Sequence, residues 1–350
     1  MNRIIISFLF LFTVFTGCSV SLQNYEESDA SAVISLACWN TQTFFDAEIE
    51  GTEYADFQNL AKWSKDKYLQ RLSRLSEVIK TLNADVIVLE EIENVAVVQD
   101  IANQLAGNSW DKSKNWSYAA FGKDSGAAIG CAVFSKYEIK DLKFHSLKIN
   151  TQKTVQPSVR PILELAVEAE GKPLQIFVNH WKSKSGGEES SEIWSDWQEA
   201  LLAERVSCFL SQNGEAAACV MCGDFNRDAR EFVCRFGGKQ TDFNTVFRGC
   251  PGGGGESGES GEGESKLIKV YSPWFTSSGS LATETGSYFY NKNWERIDHI
   301  FILGNIRISA FSPRVDGDWA GVNGIPNIYR QFSGEGYSDH LPLMCTLTLL

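Results

Sequence analysis

The chain has 350 residues, 43% of them hydrophobic and 22% charged, with 22 Phe, 10 Trp and 10 Tyr. So many aromatic side chains exclude a generally disordered protein and leave room for one large core or two modest ones. A formal net charge of −12 at pH 7 excludes a broadly basic surface for nucleic acid or anionic membrane, though not a locally positive cleft.

In chain order, MNRIIISFLFLFTVFTGCSV comes first. Arg3 precedes an apolar run from Ile4 to Phe15 that is short for a mature membrane span, so residues 1–17 read as an export signal. FTGC at Phe15–Cys18 resembles the cleavage and lipidation motif of bacterial lipoproteins, with Cys18 as the modified residue and an ordinary secretion signal as the alternative. Residues 18–31 then form a polar tether. The expectation is an exported protein of the bacterial cell envelope that meets the membrane only through this anchor, with no obligate protein partner evident.

VISLAC at 33–38 predicts a first strand. Leu72, Leu75, Ile79 and Leu82 recur at helical spacing over 66–82, VIVL at 86–89 reads as a buried strand, and Val95, Val98, Ile101 and Leu105 mark a second helix. GAAIGCAVFS, RPILELAVEA and LQIFVNH predict further strands. A helix is expected from Ser195 to Leu210, with Trp197, Leu201, Arg205 and Cys208 near one face. ACVMCGDFN, RIDHIFIL and LMCTLTLL supply the late strands. PGGGGESGESGEGES at 251–265, with seven glycines and four glutamates, cannot build a core and reads as an acidic surface insertion.

Of the nine cysteines, Cys38, Cys131, Cys219, Cys222 and Cys345 lie in hydrophobic stretches and read as buried thiols. Export permits disulfides, and Cys234 with Cys250, both flanking polar loop sequence, is the expected pair.

One pattern repeats: an apolar strand runs out, and a carboxylate, amide or imidazole follows. It occurs at Asn40, at Glu91 in VLEEIEN, at Asn179 and His180 in VNHWKSKSGG, and at Asp224 and Asn226 in GDFN. Asp298 in RIDH and Asp339 with His340 in SDH complete the set. Strand ends distant in sequence can meet at one edge of a sheet, and oxygen-rich groups suit a hard divalent cation: Mg2+, with Mn2+ and Ca2+ as alternatives. His145 reads as structural, and so does His299, which should point opposite Asp298 along a strand.

These motifs together resemble the endonuclease/exonuclease/phosphatase superfamily, from about Ile34 to Pro342. The resemblance implies a four-layered α/β sandwich, two central β-sheets flanked by helices, with residues 32–350 as a single domain. It also implies roles. Glu91 is the principal metal ligand, with Asn40 and Asp339 on the metal side. His180 contacts the scissile phosphate, Asp224 and Asn226 orient water and phosphate, and Asp298 supports His340. Arg160 falls where family nucleases keep a phosphate-contacting arginine, and Asn179, Lys182 and Lys184 are candidates to bind substrate phosphates.

The family often has glutamine before its metal-binding glutamate, whereas this chain has Glu90, which strand alternation directs away from Glu91. Asp124 is the candidate acidic partner of His180. HWKSK-GG and GSYFYNKNWERIDHIFI resemble secreted bacterial nucleases, and Tyr288, Tyr290 or Trp294 either approaches the substrate or packs in the core. The expected activity is metal-dependent hydrolysis of DNA, or RNA as well, bound as a transient substrate. A phosphoesterase acting on sphingomyelin, another phospholipid or inositol phosphates is the alternative enzyme. An inactive surface-binding lipoprotein is the non-enzymatic rival, but no central residue is missing.

Overall fold

The computed structural model describes residues 31–59, 62–106, 115–149, 155–184, 187–234, 244–248 and 267–350. The signal segment, Cys18, the tether up to residue 30, the 251–265 insertion and Cys250 of the expected disulfide lie outside the described residues.

The first half of the chain forms β1 (Ala32–Phe44), α1 (Lys65–Leu82), β2 (Val86–Ile92), α2 (Val95–Leu105), β3 (Tyr118–Gly122), β4 (Gly130–Ser135) and β5 (Lys140–His145). Then come β6 (Ile162–Ala169), β7 (Lys172–His180), α3 (Glu188–Asn213), β8 (Cys219–Asp224), α4 (Ala229–Cys234), β9 (Asn244–Arg248) and β10 (Leu267–Tyr271). The last elements are β11 (Tyr288–Tyr290), β12 (Asn293–Glu295), β13 (Asp298–Leu303), β14 (Ile306–Pro313) and β15 (Leu343–Leu349).

Two mixed sheets result, one of six strands in the order β14-β15-β1-β2-β4-β3 and one of seven in the order β5-β6-β7-β8-β13-β10-β9. Side chains alternate between the two faces of each strand, and this alternation builds the layers. From β1, Ile34, Leu36 and Cys38 meet Leu174, Ile176 and Val178 of β7 between the sheets. Ala37 and Trp39 face the other way, onto Leu72, Leu75 and Ile79 of α1 and Val97 and Ile101 of α2. Phe177 of β7 and Met221 of β8 likewise turn outward, onto Leu202, Ala203 and Val206 of α3. The order is therefore helices, sheet, sheet, helices: an α/β sandwich.

Local chemistry sets the helix ends. Ser64 caps α1 by accepting the Lys67 N–H, and Asn83 ends it in the left-handed conformation at φ 49°. Asn94 caps α2 by accepting the Val97 N–H at 2.9 Å.

The third helix differs from expectation. It begins seven residues earlier than Ser195, at Glu188 behind Gly187. Its buried face is also rotated: Trp197, Leu201 and Arg205 are half-buried and Cys208 is exposed, whereas Gln198, Glu199, Leu202 and Val206 are buried. The cause is polar. The Gln198 Oε1 accepts the Lys182 N–H at 2.7 Å, and Glu199 pairs with the buried Arg227, which also bonds Asp196 at 2.9 Å. An apolar stripe does not register a face that earns its place through hydrogen bonds, so the periodicity misplaced it.

The five thiols expected to be buried are buried and free. No helix among the described residues is long and apolar enough to cross a membrane.

Candidate active site

The two parallel strand pairs, β1 with β2 and β7 with β8, sit inside their sheets. Their carboxyl ends bring the polar strand ends together, as open α/β sheets do for ligands. In the second sheet His180 is in register with Asp224, and Asp224 with Asp298, so three neighbouring strands present one row of functional groups. From the first sheet come Asn40 and Glu91. Asn40, Glu91, His180, Asp224, Asp339 and His340 line one cleft of about 470 Å³.

Glu91 reaches this cleft because β2 bulges. Its φ is 63°, and the pairing of β2 with β4 slips between Glu90 and Ile92. One oxygen accepts the Thr43 N–H at 2.5 Å, and the other faces the Asn40 amide at 3.3 Å and His180 Nε2 at 3.7 Å. Burial pushes the Glu91 carboxyl up, and the Asp339 carboxylate adds to this. Glu90 instead lies fully buried, against Gly223. A Cβ at Gly223 would come within 2.9 Å of Glu90 Oε1 and collide with the Asn179 carbonyl, so the glycine of GDFN is a packing requirement. Burial, then Asp298 and Asp224, push Glu90 well up, and neither of its oxygens has a hydrogen-bond partner.

Asp224 is held on both sides. Asn226 N–H donates to Oδ1 at 2.8 Å and the Asn40 amide donates to Oδ2 at 3.0 Å. Burial pushes its carboxyl up to about 7, with Asp298 adding and His340 opposing. His340 Nδ1 lies 2.8 Å from Asp298 Oδ2. Burial alone would lower the His340 pKa, but the Asp298 carboxylate outweighs it and holds the ring well above the usual value. His180 goes the other way: burial, then Arg160 and His340, keep it well below, as a neutral imidazole. The site thus pushes its two imidazoles apart, His340 upward and His180 downward.

Several expected residues are placed differently. Asn40 turns its oxygen to the Gln42 N–H at 2.9 Å and its NH2 to the two carboxylates. It braces Glu91 against Asp224. Asn179 is not in the cleft: one strand position from His180 it points the opposite way, donating to the Phe177 carbonyl and accepting from the Trp181 indole at 3.1 Å. Asp124 is not the partner of His180. It accepts from Ser146 Oγ at 2.5 Å, and His180 Nδ1 has no hydrogen-bond partner. Lys182 does not line the cleft and bonds the Ser183 carbonyl, whereas Lys184 lines it and pairs with Glu231 at 2.8 Å. Arg160 donates to the Trp181 carbonyl, the same oxygen that takes the Asn226 amide at 3.2 Å.

Tyr288 and Tyr290 line the cleft, while Trp294 packs on Phe289 at 5.0 Å with its ring on the core side. His145 pairs with Glu164 at 2.6 Å, and His299 packs among Phe225, Phe232 and Phe301 and bonds the Arg227 carbonyl. Both histidines are structural.

Sequence reasoning missed the residues that hold these groups. Ser338 Oγ donates to the Asn40 carbonyl at 2.6 Å and accepts the His340 N–H at 3.1 Å. The Trp39 indole donates to the His340 carbonyl at 2.9 Å. The loop that carries SDH is thus tied to the end of β1. Arg71 is the other omission, and its signal was a charge standing inside the apolar stripe of α1.

The donor set fits a divalent cation. Glu91 and Asp339 share the cleft and crowd each other electrostatically, and Asp224 lines the same cleft. Asp224, Asp298 and His340 also offer ligand atoms within 4.8 Å of one another. There His340 Nδ1 and Asp298 hydrogen-bond each other, as the Glu91 oxygens do with the Thr43 N–H and the Asn40 amide.

Just past β2, Glu93 accepts the Asp46 N–H at 2.6 Å, and burial pushes its carboxyl up to about 8 against that hydrogen bond. The folded chain keeps a proton there that the unfolded chain loses above about 4.3. Stability therefore falls as pH rises from that value to about 8. Glu93→Gln should raise the melting temperature at pH 8 and leave it almost unchanged at pH 4. Equal shifts at both pH values in thermal unfolding would contradict the assignment.

A family model described as Endonuclease/Exonuclease/phosphatase family matches residues 35–238. The chain belongs to the endonuclease/exonuclease/phosphatase family. Asp298, Asp339 and His340 lie beyond the matched stretch, and it is the fold of this family member that returns them to Glu91, His180 and Asp224.

Solved structures agree on the fold over a longer span. The catalytic domain of human Nocturnin superposes at a TM-score of 0.54 with 14% identity, covering 91% of this chain and 95% of that one. An endonuclease/exonuclease/phosphatase family protein from Bacteroides thetaiotaomicron gives 0.54 and 13%, covering 92% and 99%. ANGEL2, described as a 2',3'-cyclic phosphatase, gives 0.55 and 15%, covering 91% and 96%. At such identities the likeness speaks to fold alone. No curated protein matches the sequence. Family membership and the acidic and histidine cluster together support a phosphoesterase activity.

Proposed function

We propose that this protein hydrolyses phosphodiester bonds of nucleic acid, DNA foremost, with the help of a divalent cation. The observation that carries the reading is the meeting of His180, Asp224 and the Asp298–His340 pair with Glu91 in one cleft. Glu91 and Asp339 would hold the cation, which when bound neutralises charge on the phosphate oxygens. Asp224 takes the proton of the attacking water. Its carboxyl, raised to about 7, is basic enough for that task, and its two hydrogen bonds fix the direction of the lone pairs. His340, as an imidazolium, donates to a phosphate oxygen whose charge grows in the transition state. Asn226 has a second amide hydrogen for the same phosphate once Trp181 has taken the first. The neutral His180 stands on the Glu91 side, 3.7 Å from both carboxylates, where it can hydrogen-bond the phosphate without competing for cation charge.

The wall of the cleft supports a nucleotide substrate. The Tyr288 ring lies 4.8 Å from that of His340, and Tyr290 continues the row 6.2 Å further with its ring nearly parallel. Tyr290 is 54% exposed. Such a row offers π-faces beside the reaction centre, and base–aromatic stacking is worth about 1–3 kcal/mol per base. Tyr290→Ala should raise KM for a single-stranded oligonucleotide about fivefold or more. The same strand carrying abasic positions beside the cleaved bond should be nearly insensitive, and equal KM changes for both strands would remove the stacking role.

The substrate itself is tested by incubating the chain with closed circular DNA, linear DNA, RNA and sphingomyelin, each with Mg2+ or with EDTA. DNA loss with Mg2+ and none with EDTA is the expected outcome. Sphingomyelin turnover with every nucleic acid intact would overturn the reading.

A further inference from the structure

A buried arginine lies outside the cleft, behind the turn at 41–43. Arg71, on the core face of α1, is 2% exposed and lies between two aromatic rings, with its guanidinium 3.7 Å from the Tyr329 ring centroid and 4.7 Å from that of Phe44. A buried guanidinium ordinarily pairs with a carboxylate. Here its hydrogen bonds go to backbone: to the carbonyls of Thr41 at 2.7 Å, Gln42 at 2.5 Å and Thr43 at 3.0 Å. Three successive carbonyls turn to one side chain because the backbone leaves the extended region. Gln42 and Thr43 take φ 55° and 51°, consecutive left-handed residues without glycine, in a strand that slips register against β2 between Asn40 and Phe44. Such a conformation is costly without glycine and persists only where its surroundings hold it.

The other ends of the same peptide groups face the cleft. The Gln42 N–H, joined to the Thr41 carbonyl, bonds Asn40 Oδ1 at 2.9 Å. The Thr43 N–H, joined to the Gln42 carbonyl, bonds Glu91 Oε2 at 2.5 Å. Each peptide unit thus runs from the guanidinium on one side to a cleft side chain on the other, so the Arg71 charge polarises the N–H that grips Glu91. Burial draws the Arg71 pKa down to about 9, which leaves it cationic at neutral pH. The Gln42 side chain bonds the Tyr329 backbone in both directions, at 3.2 and 3.0 Å, and so keeps the stacking ring over the guanidinium.

We propose that Arg71 is a positioning residue for the cation site: it fixes the 41–43 turn, whose N–H groups orient Asn40 and the Glu91 carboxylate. The inference rests on Glu91 holding the cation and adds what holds Glu91.

The test is direct Mn2+ binding, followed by electron paramagnetic resonance and calorimetry on the whole chain, for the wild type, Arg71→Met and Arg71→Lys. Methionine keeps much of the apolar stem, and lysine keeps the charge but not the fork that spans three carbonyls. Loss of such outer support typically costs about 10–100-fold in metal affinity. Arg71→Met should weaken Mn2+ by that much, with Arg71→Lys in between, and the turnover number at saturating metal should return to within about threefold of wild type. Tyr68→Phe serves as the control, since it removes the Asp100 hydrogen bond of the same helix and should lower stability without moving Mn2+ affinity. Mn2+ affinities of both Arg71 variants within twofold of wild type would overturn the assignment, whatever happens to the melting temperature. Should Arg71→Met fail to fold, unchanged affinity in Arg71→Lys overturns it alone. A wild-type chain that binds no Mn2+ would overturn the cation reading, and this inference with it.

Discussion

Replacing His340 with alanine should lower the turnover number for a phosphodiester by about 10²–10³-fold and leave the fold intact. The magnitude follows from what the ring does. Burial would make it neutral, but Asp298 at 2.8 Å holds it as an imidazolium, a preorganised charge facing the cleft with the Tyr288 ring beside it. Donors already aimed at developing charge need no reorganisation, which is why each carries a large share of the rate. Asp298→Asn should cost a similar factor, because the amide keeps the contact and loses the charge that holds the proton. The double variant should be little worse than either single one, since the pair acts as a unit.

The pH dependence carries a sign. The imidazolium contribution is complete below the ordinary histidine value and is lost as pH rises through the raised folded value. Asp298→Asn should therefore move the alkaline limit of activity to lower pH. His340→Ala retaining activity within a factor of two, in folded protein, would remove this residue from the reaction.

Glu91→Gln should abolish tight binding of a divalent cation and with it about 10²-fold or more of the rate. The substitution keeps the shape and leaves an oxygen to accept the Thr43 N–H, so the 41–43 turn should survive. What it removes is the charge that burial and Asp339 already make costly in the cation-free chain. That cost has a measurable consequence. Burial, with Asp298, lifts Asp224 to about 7, and Glu91 is lifted beside it, so the cation-free folded chain holds protons the unfolded chain has released. Stability in EDTA should fall as pH rises from about 4 to about 7, then level off, and regain its level when Mg2+ is added. Cation binding should release protons and strengthen from pH 6 to pH 8, which calorimetry in buffers of different ionisation enthalpy would read. Binding that is equally tight at both pH values without proton release would contradict the raised carboxyls.

The strand-end pattern in the sequence located most of the cleft, because carboxylates and imidazoles after apolar runs are rare enough to read and their strands lie inside the two sheets. Direction was harder. Period-two alternation correctly set His299 against Asp298, and the same argument applied to Asn179 beside His180 would have removed Asn179 from the substrate contacts. Asn40 was placed on the right strand, but its amide could be oriented only once the Gln42 N–H was known to face its oxygen.

Asp124 shows the limit from the other side: proximity of polar residues cannot be inferred across a bend, and Ser146 claims it. The α3 face was misread because Gln198 and Glu199 are buried through hydrogen bonds and an ion pair, which hydrophobic spacing does not detect. β14 was legible and overlooked: Ile306, Arg307, Ile308, Ser309 and Ala310 alternate apolar and polar along this edge strand. The left-handed pair at Gln42 and Thr43 was illegible because neither residue is glycine. Only the charged Arg71 inside the α1 stripe pointed toward it.

The most direct measurement is a crystal of the wild-type chain soaked in Mn2+ and recorded at the manganese absorption edge. The account predicts an anomalous peak about 2–2.3 Å from a Glu91 carboxylate oxygen, on the Asp339 side of the cleft. A peak enclosed by Asp224, Asp298 and His340 with none at Glu91, or no peak in the cleft at saturating Mn2+, would contradict it.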